Sequence, residues 1–169
     1  TLIEAFWQAL QLIFSGDPEV FAVTLRSLEV SGLGTLLACL WGIPIAVLLG
    51  LYSFRGKWVI KSLFNAMLGI PTVALGLLLV MFFSKSGPVG FLHLLYTTNW
   101  IAIGQALLIT PIIVSYTSGA LGATDAQLRD LAKTLGASNL QANLTILRET
   151  MWAIVLALIA AFNRGFGEL

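Results

Sequence analysis

Few side chains in this sequence could do chemistry, and their spacing limits what kind. Asp125 and Asp130 are the nearest thing to a carboxylate pair, but five residues separate them, so a helix does not put them on one face. His93 is the only histidine and Cys39 the only cysteine, and neither has a cluster of metal-binding residues beside it in sequence. Cys39 lies in an apolar run and reads as a small core hydrophobe. No G-x-x-x-x-G-K-[ST] stretch occurs, so there is no loop to cradle nucleotide phosphates. Arg164 and Glu168 remain: an i, i+4 pair directly after an apolar run. Charges inside a membrane cost at least ~2.5 kcal/mol each on insertion scales and usually mark function. Arg164 therefore either attracts an anion or locks helix packing through an internal ion pair with Glu168.

The elements that must position these residues are apolar. Of the 169 residues, 58% are hydrophobic and only 10% charged. Mean hydropathy is +0.93. A soluble domain carries about 25% charged residues, so the solvent for this chain is a bilayer. A net charge of +1 gives no basic face for nucleic acid. Charge-free runs cover Val30 to Phe54, Ser62 to Ser84 and Ser86 to Thr124. Each can hold a helix crossing about 30 Å of hydrocarbon. Spans are expected at 20–51, 60–84 and 98–121. A shorter stretch, 150–169, makes a fourth span if Arg164 and Glu168 face the protein interior. Pro44, Gly69 with Pro71, and Pro111 are expected to kink the first, second and third spans. Residues 1–15 alternate at helical spacing and fit an amphipathic helix lying in the membrane interface, with packing on the bundle as the alternative. Gly16, Asp17 and Pro18 end it.

Arg55, Lys57 and Lys61 follow the first span, and Arg129, Lys133 and Arg148 follow the third. The loop between the second and third spans has Lys85 alone. Cations mark the cytoplasmic side, so the N-terminus is expected outside.

Between the third and fourth spans, 123–148 is polar and is expected to form two short helices. Thr124 with Gln127, and Ser138 with Gln141, have capping-box form. Gly136 between them suits a helix end that needs positive φ. Leu128, Leu131, Ala132 and Leu135 make one apolar stripe. It buries itself either on the chain's own spans or in a groove of a partner; periodicity leaves both open.

Asp130-Leu131-Ala132, then Gly136, then Ile146 resemble the EAA signature of ABC importer permeases. Asp replaces the usual Glu, and Leu147-Arg148-Glu149 stand where the family has Leu-Pro. Thr24-Leu-Arg-Ser-Leu resembles the start of the family's transmembrane region. Phe54-Arg-Gly-Lys, Gly69-Ile-Pro71 and Ser84-Lys-Ser-Gly-Pro-Val-Gly90 are similar to the molybdate, sulfate and tungstate branch. Phe91-Leu-His-Leu-Leu and Ile109-Thr-Pro111 bring the tungstate type nearest. Phe162-Asn-Arg-Gly-Phe-Gly-Glu168 resembles the segment that follows the signature in that branch.

The resemblance implies an all-α polytopic transmembrane bundle of type I importer architecture, with the family's last span absent from this chain. It implies that Leu128, Asp130, Leu131, Ala132, Leu135, Gly136 and Ala137 couple to an ATPase. Gly69, Ile70, Pro71 and Thr72 become candidates for the gate, with Arg164 and Glu168 on the pathway. The implied assembly is a homodimer of permeases with two ATPase subunits, an extracytoplasmic binding protein and surrounding lipid, in a prokaryotic plasma (inner) membrane. ATP and Mg would sit on the partner ATPase, and this chain would carry no cofactor and catalyse nothing. The implied cargo is tungstate, or else molybdate or sulfate. An ATP-independent channel or secondary transporter is the alternative, but such proteins use intramembrane carboxylates or histidines for ion coupling, which the three clear spans lack. A membrane-embedded enzyme would need a nucleophile, base or metal constellation. A purely structural subunit leaves the capped polar segment unexplained.

Overall fold

The computed structural model describes residues 2–93, 95 and 97–168, with side chains at 2, 8, 9, 13 and 125–127 outside the description. The described chain is helical and has no strand. Helix α1 covers Leu2–Phe14, α2 Pro18–Leu51, α3 Lys57–Met67 and α4 Thr72–Phe83. A 3-10 turn at Gly90–Leu92 precedes α5, Thr98–Thr134; α6 is Asn139–Glu149 and α7 Met151–Phe166. Asp17 starts α2. Its carboxylate accepts from the amides of Glu19 at 2.8 Å and Val20 at 3.4 Å, and Pro18 occupies the first turn, where no amide partner is needed.

Two helices organise the rest. Gly34, Ala38, Gly42, Ala46 and Gly50 recur every fourth residue and form one buried stripe on α2. They face Ala102, Ala106, Ile109, Ile113 and Leu121 of α5, all buried. The approach is close. A Cβ on Gly50 would stand 2.6 Å from Leu121 Cβ, and one on Gly34 3.2 Å from the Ala102 carbonyl oxygen. Lipid supplies no hydrophobic drive for two apolar helices to associate, so van der Waals contact between near backbones has to do it. The Trp41 indole adds a hydrogen bond of 2.8 Å to Thr110. Helix α7 joins the same core with a second stripe of small buried residues, Ala157, Ala161 and Gly165, and Ala161 clusters with Ala38 of α2 and Ala106, Ile109 and Ile113 of α5.

Helix α2 and the part of α5 from Thr98 to Thr124 are long and apolar enough to cross a membrane. Of the three expected kink sites, the one at Gly69 and Pro71 becomes a full break. Pro44 and Pro111 lie inside unbroken helices. The break is at Gly69–Pro71, where α3 and α4 meet at 104°. Pro71 lacks an amide hydrogen and disfavours a helical conformation at Ile70, and the chain leaves α3 through tight bonds from Gly69 to Ala66 and Ile70 to Met67. The span expected at 60–84, with its kink at Gly69 and Pro71, is thus a bent pair of helices. With 11 and 12 residues, each reaches about 16–18 Å, short of about 30 Å of hydrocarbon.

Helices α6 and α7 also meet at an angle, 54°, around the buried Thr150. Its hydroxyl donates back to the Ile146 carbonyl at 2.7 Å, a bond that bends helices. The first of the two expected short helices does not exist separately. Helix α5 runs through Thr124, whose hydroxyl donates to the Ala120 carbonyl at 3.0 Å and caps nothing. The expected reach of Gln127 lies outside the described side chains. Continuous i→i−4 bonding from the span outcompetes a capping sequence that has no break before it.

Replacing Gly50 with Val should weaken the fold by ~1–3 kcal/mol through overpacking, read as a lower thermal midpoint in detergent. A Cβ on Gly32 would meet nothing within 4 Å. Gly32→Ala should hold the midpoint or raise it, since alanine is the better helix former.

Candidate functional site

The turn between α5 and α6 is made from backbone hydrogen bonds and one glycine. Gly136 has φ +85°. Its amide donates to the Lys133 carbonyl at 3.0 Å, and the Ala137 amide to the Ala132 carbonyl at 3.0 Å. This is the Schellman closure of a helix end. The amide of Ser138 then donates to Gln141 Oε1 at 2.8 Å, and the Gln141 amide to Ser138 Oγ at 3.4 Å, a complete capping box. Nothing lies within 4 Å of a Cβ at Gly136, so backbone conformation and not space demands the glycine.

One face of this turn is anchored. Ala142 and Ile146 of α6 are buried, and Ile146 clusters with Leu51 and Leu121, with Leu128 packed against them. The Arg129 guanidinium donates to the Leu51 carbonyl at 3.0 Å. Lys57 reaches the Gly50 carbonyl at 3.5 Å. Both cations thereby satisfy last-turn carbonyls of α2 and oppose the negative end of its dipole. Lys61 reaches across to the Ser118 carbonyl of α5 at 3.3 Å.

The other face is open. Leu131 is 61% exposed and Leu135 81% exposed, while Asp130 is exposed and Ala132 and Ala137 half-buried. The stripe expected from sequence therefore divides: Leu128 packs inward, and Leu131 and Leu135 point out. Sequence reasoning missed Leu140 and Leu144 of α6, which are exposed as well. Their i, i+4 spacing is legible in the sequence, where the cap at Ser138 is the stronger signal.

The candidate pathway residues are brought together only in part. Gly69, Ile70 and Pro71 form the α3–α4 break, and Thr72 opens α4. Thr72 and Glu168 line one cavity of about 430 Å³ with Gly76, Trp100, Gly104 and Gln105. Arg164 lines a different one. The two charges pair, Arg164 Nη2 to Glu168 Oε1 at 3.2 Å, yet their side chains are 48% and 31% exposed. The fourth-span reading placed them in the interior; in the single chain they sit at its surface, because small buried Gly165 between them takes the inward face. The buried Gln105 amide donates to the Gly165 carbonyl at 2.9 Å and ties α7 to α5. Cys39 is half-buried beside the α2–α5 core, and His93 ends the 3-10 turn at φ +49°.

Arg129→Met should free the end of α2. Losing a charged hydrogen bond costs ~1.5–3 kcal/mol, so hydrogen–deuterium exchange should accelerate around residues 52–54 and 129–134 and stay unchanged near Ala106.

Comparison with known proteins agrees with this architecture. The family model described as "Binding-protein-dependent transport system inner membrane component" matches residues 42–169. The tungstate uptake system permease protein TupB of Peptoclostridium acidaminophilum is 31% identical over 168 residues, 99% of this chain and 74% of that one. A probable anion ABC transporter permease protein of Haloferax volcanii is 34% identical over 148 residues, 88% of this chain and 64% of its own. The molybdenum transport system permease protein ModB of Escherichia coli K12 is 32% identical over 160 residues, 90% of this chain and 69% of its own. With its paired spans, broken helix and glycine-turned polar segment, this chain belongs to the family of binding-protein-dependent transport system membrane components: it is a multi-pass ABC importer permease.

Proposed function

We propose that this permease moves a tetrahedral oxyanion, tungstate first, across a prokaryotic plasma membrane. The tungstate, anion and molybdenum permeases among its relatives support that substrate class. In this reading two copies enclose a pathway and two separate ATPase subunits bind ATP and Mg. A binding protein delivers the anion from outside, and this chain itself carries no cofactor. The N-terminus lies outside, with α1 in the interface. The N-terminal placement is supported by the cations Arg55, Lys57, Lys61 and Arg129, which gather at the end of the bundle where α2 stops.

One observation carries the mechanism. The Gly136 turn exposes Leu131 and Leu135 while Ile146, Leu128 and Arg129 fasten the same segment to α2 and α5. Exposed leucines on a short, rigid helix pair suit a groove on a partner. The ATPase would grip Leu131, Leu135 and Asp130, with Ala132 and Ala137 allowing close approach. Its closure would push a lever that has no slack, because the lever is the end of a span. Motion reaching α5 would then shift the packing at Gly69, Ile70, Pro71 and Thr72, the proposed gate. A broken helix changes its angle more readily than a continuous one.

The test is metal uptake, read by elemental mass spectrometry in cells lacking their own tungstate and molybdate importers. The full-length permease would be expressed with its ATPase and binding protein. Tungsten should accumulate in an ATP-dependent way. Gly136→Val should lower accumulation at least about tenfold, since a β-branched residue at positive φ costs ~1–3 kcal/mol, with the subunits still assembled. Molybdenum accumulation instead would keep the mechanism and change the cargo. Full tungsten uptake by Gly136→Val would end the coupling role.

A further inference from the structure

Three hydrogen-bond donors meet in a cavity beside the proposed gate and away from the coupling turn. It measures about 330 Å³ and is lined by Leu68, Ile112, Tyr116, Ala160, Asn163 and Arg164. Tyr116 offers a phenol hydroxyl, Asn163 a side-chain amide and Arg164 a guanidinium. Among the described residues no hydrogen bond within the chain engages the Tyr116 hydroxyl or the Asn163 side-chain amide. Ile112 lies near the middle of the membrane-crossing part of α5, Thr98–Thr124. Polar side chains at that depth are costly against lipid and face a bundle interior or a water-filled space. Leu68 ends α3 just before the Gly69–Pro71 break, and broken helices beside a midplane site are a recurrent construction in transporters.

Resting on the importer reading above, we propose that this cavity is a transient oxyanion site on the translocation pathway. In it Tyr116 and Asn163 join Arg164 as donors to a tetrahedral dianion. The volume equals about ten waters at about 30 Å³ each, enough for such an anion with part of its hydration shell. Glu168 tempers the grip. Its carboxylate lies 3.2 Å from Arg164 Nη2, so it orients the guanidinium and offsets part of its charge. A pathway site has to bind well enough to admit the ion and weakly enough to release it. The neighbouring cavity has the opposite character. It presents Glu168 and Gln105, whose buried Oε1 has no partner, and acceptors of that kind repel an anion. The sequence pointed to Arg164 alone; Tyr116 and Asn163 join it only because α5 and α7 pack side by side.

The test uses the full-length permease with its ATPase and binding protein in proteoliposomes, and reads tungstate uptake beside ATP hydrolysis. Asn163→Asp puts a carboxylate into the cavity. It should slow uptake at least about tenfold, the low end of what losing one charge-assisted hydrogen bond costs, while ATP hydrolysis stimulated by the binding protein persists. Tyr116→Phe keeps ring and volume and should slow uptake about threefold or more, the loss of one donor. If Asn163→Asp fails to assemble, Tyr116→Phe decides alone. Wild-type uptake in the variants that assemble overturns the site. So does a parallel fall of uptake and hydrolysis in each of them, which is the mark of a purely structural role. A wild-type complex that hydrolyses ATP and imports no oxyanion removes the importer reading, and the site with it.

Discussion

The close approach of α2 to α5 is the constraint on which the rest of this structure depends. A stripe of glycine and alanine at every fourth position lets the two backbones come near enough for a Cβ on Gly50 to overlap Leu121. In a membrane no hydrophobic effect draws apolar helices together, so contact area and packing density must hold them. Alanine and glycine do this at little entropic cost, because they have no rotamers to lose. With α2 seated, α5 becomes the central helix, and α7 seats its own small stripe against both α5 and α2.

This packing gives the polar segment the rigidity that the proposed lever needs. A helix that continued from a span into loose solvent would fray and bend. Here the end of α5 is held by Arg129 on the last carbonyl of α2, and α6 by Ile146 in the cluster with Leu51 and Leu121. The satisfied carbonyls matter because the C-terminal end of a helix leaves four carbonyls without an intrahelical donor, and at a membrane boundary water is not always there to take them. The anchoring residues and the exposed leucines lie on the same short segment, so a partner gripping the leucines would pull on the anchors.

Irregular backbone is concentrated where function is proposed. The two prolines inside α2 and α5 leave those helices whole, while the Gly69–Pro71 break turns the chain by 104°. The difference is local. Pro44 and Pro111 have helical turns on both sides within helices that pack closely on each other, whereas Pro71 follows closely on a glycine and lies in a region where α4 has few packing partners. Arg164 and Glu168 show the same logic for charge. They pair on the surface of α7 because Gly165, between them, occupies the inward face against α5.

The sequence by itself determined a great deal. Apolar runs free of charge specify helices in a membrane, since only bilayer-length apolar segments solve the desolvation problem of their backbones. Gly136 and the Ser138–Gln141 box specify a turn, because those signals act within a few residues. The EAA-like spacing pointed to the family. What it could not settle needed neighbours in space. The cap read at Thr124 competes with a continuing helix, and the winner depends on whether the span before it stops. Leu128 and Leu131 are chemically alike, and only the cluster of Leu51, Leu121 and Ile146 makes one an anchor and leaves the other exposed. Tyr116 and Asn163 are 47 residues apart in the sequence, and only the packing of α7 on α5 brings them to one cavity. Local backbone chemistry is written in adjacent residues; which face of a helix meets a partner is decided by the helices that surround it.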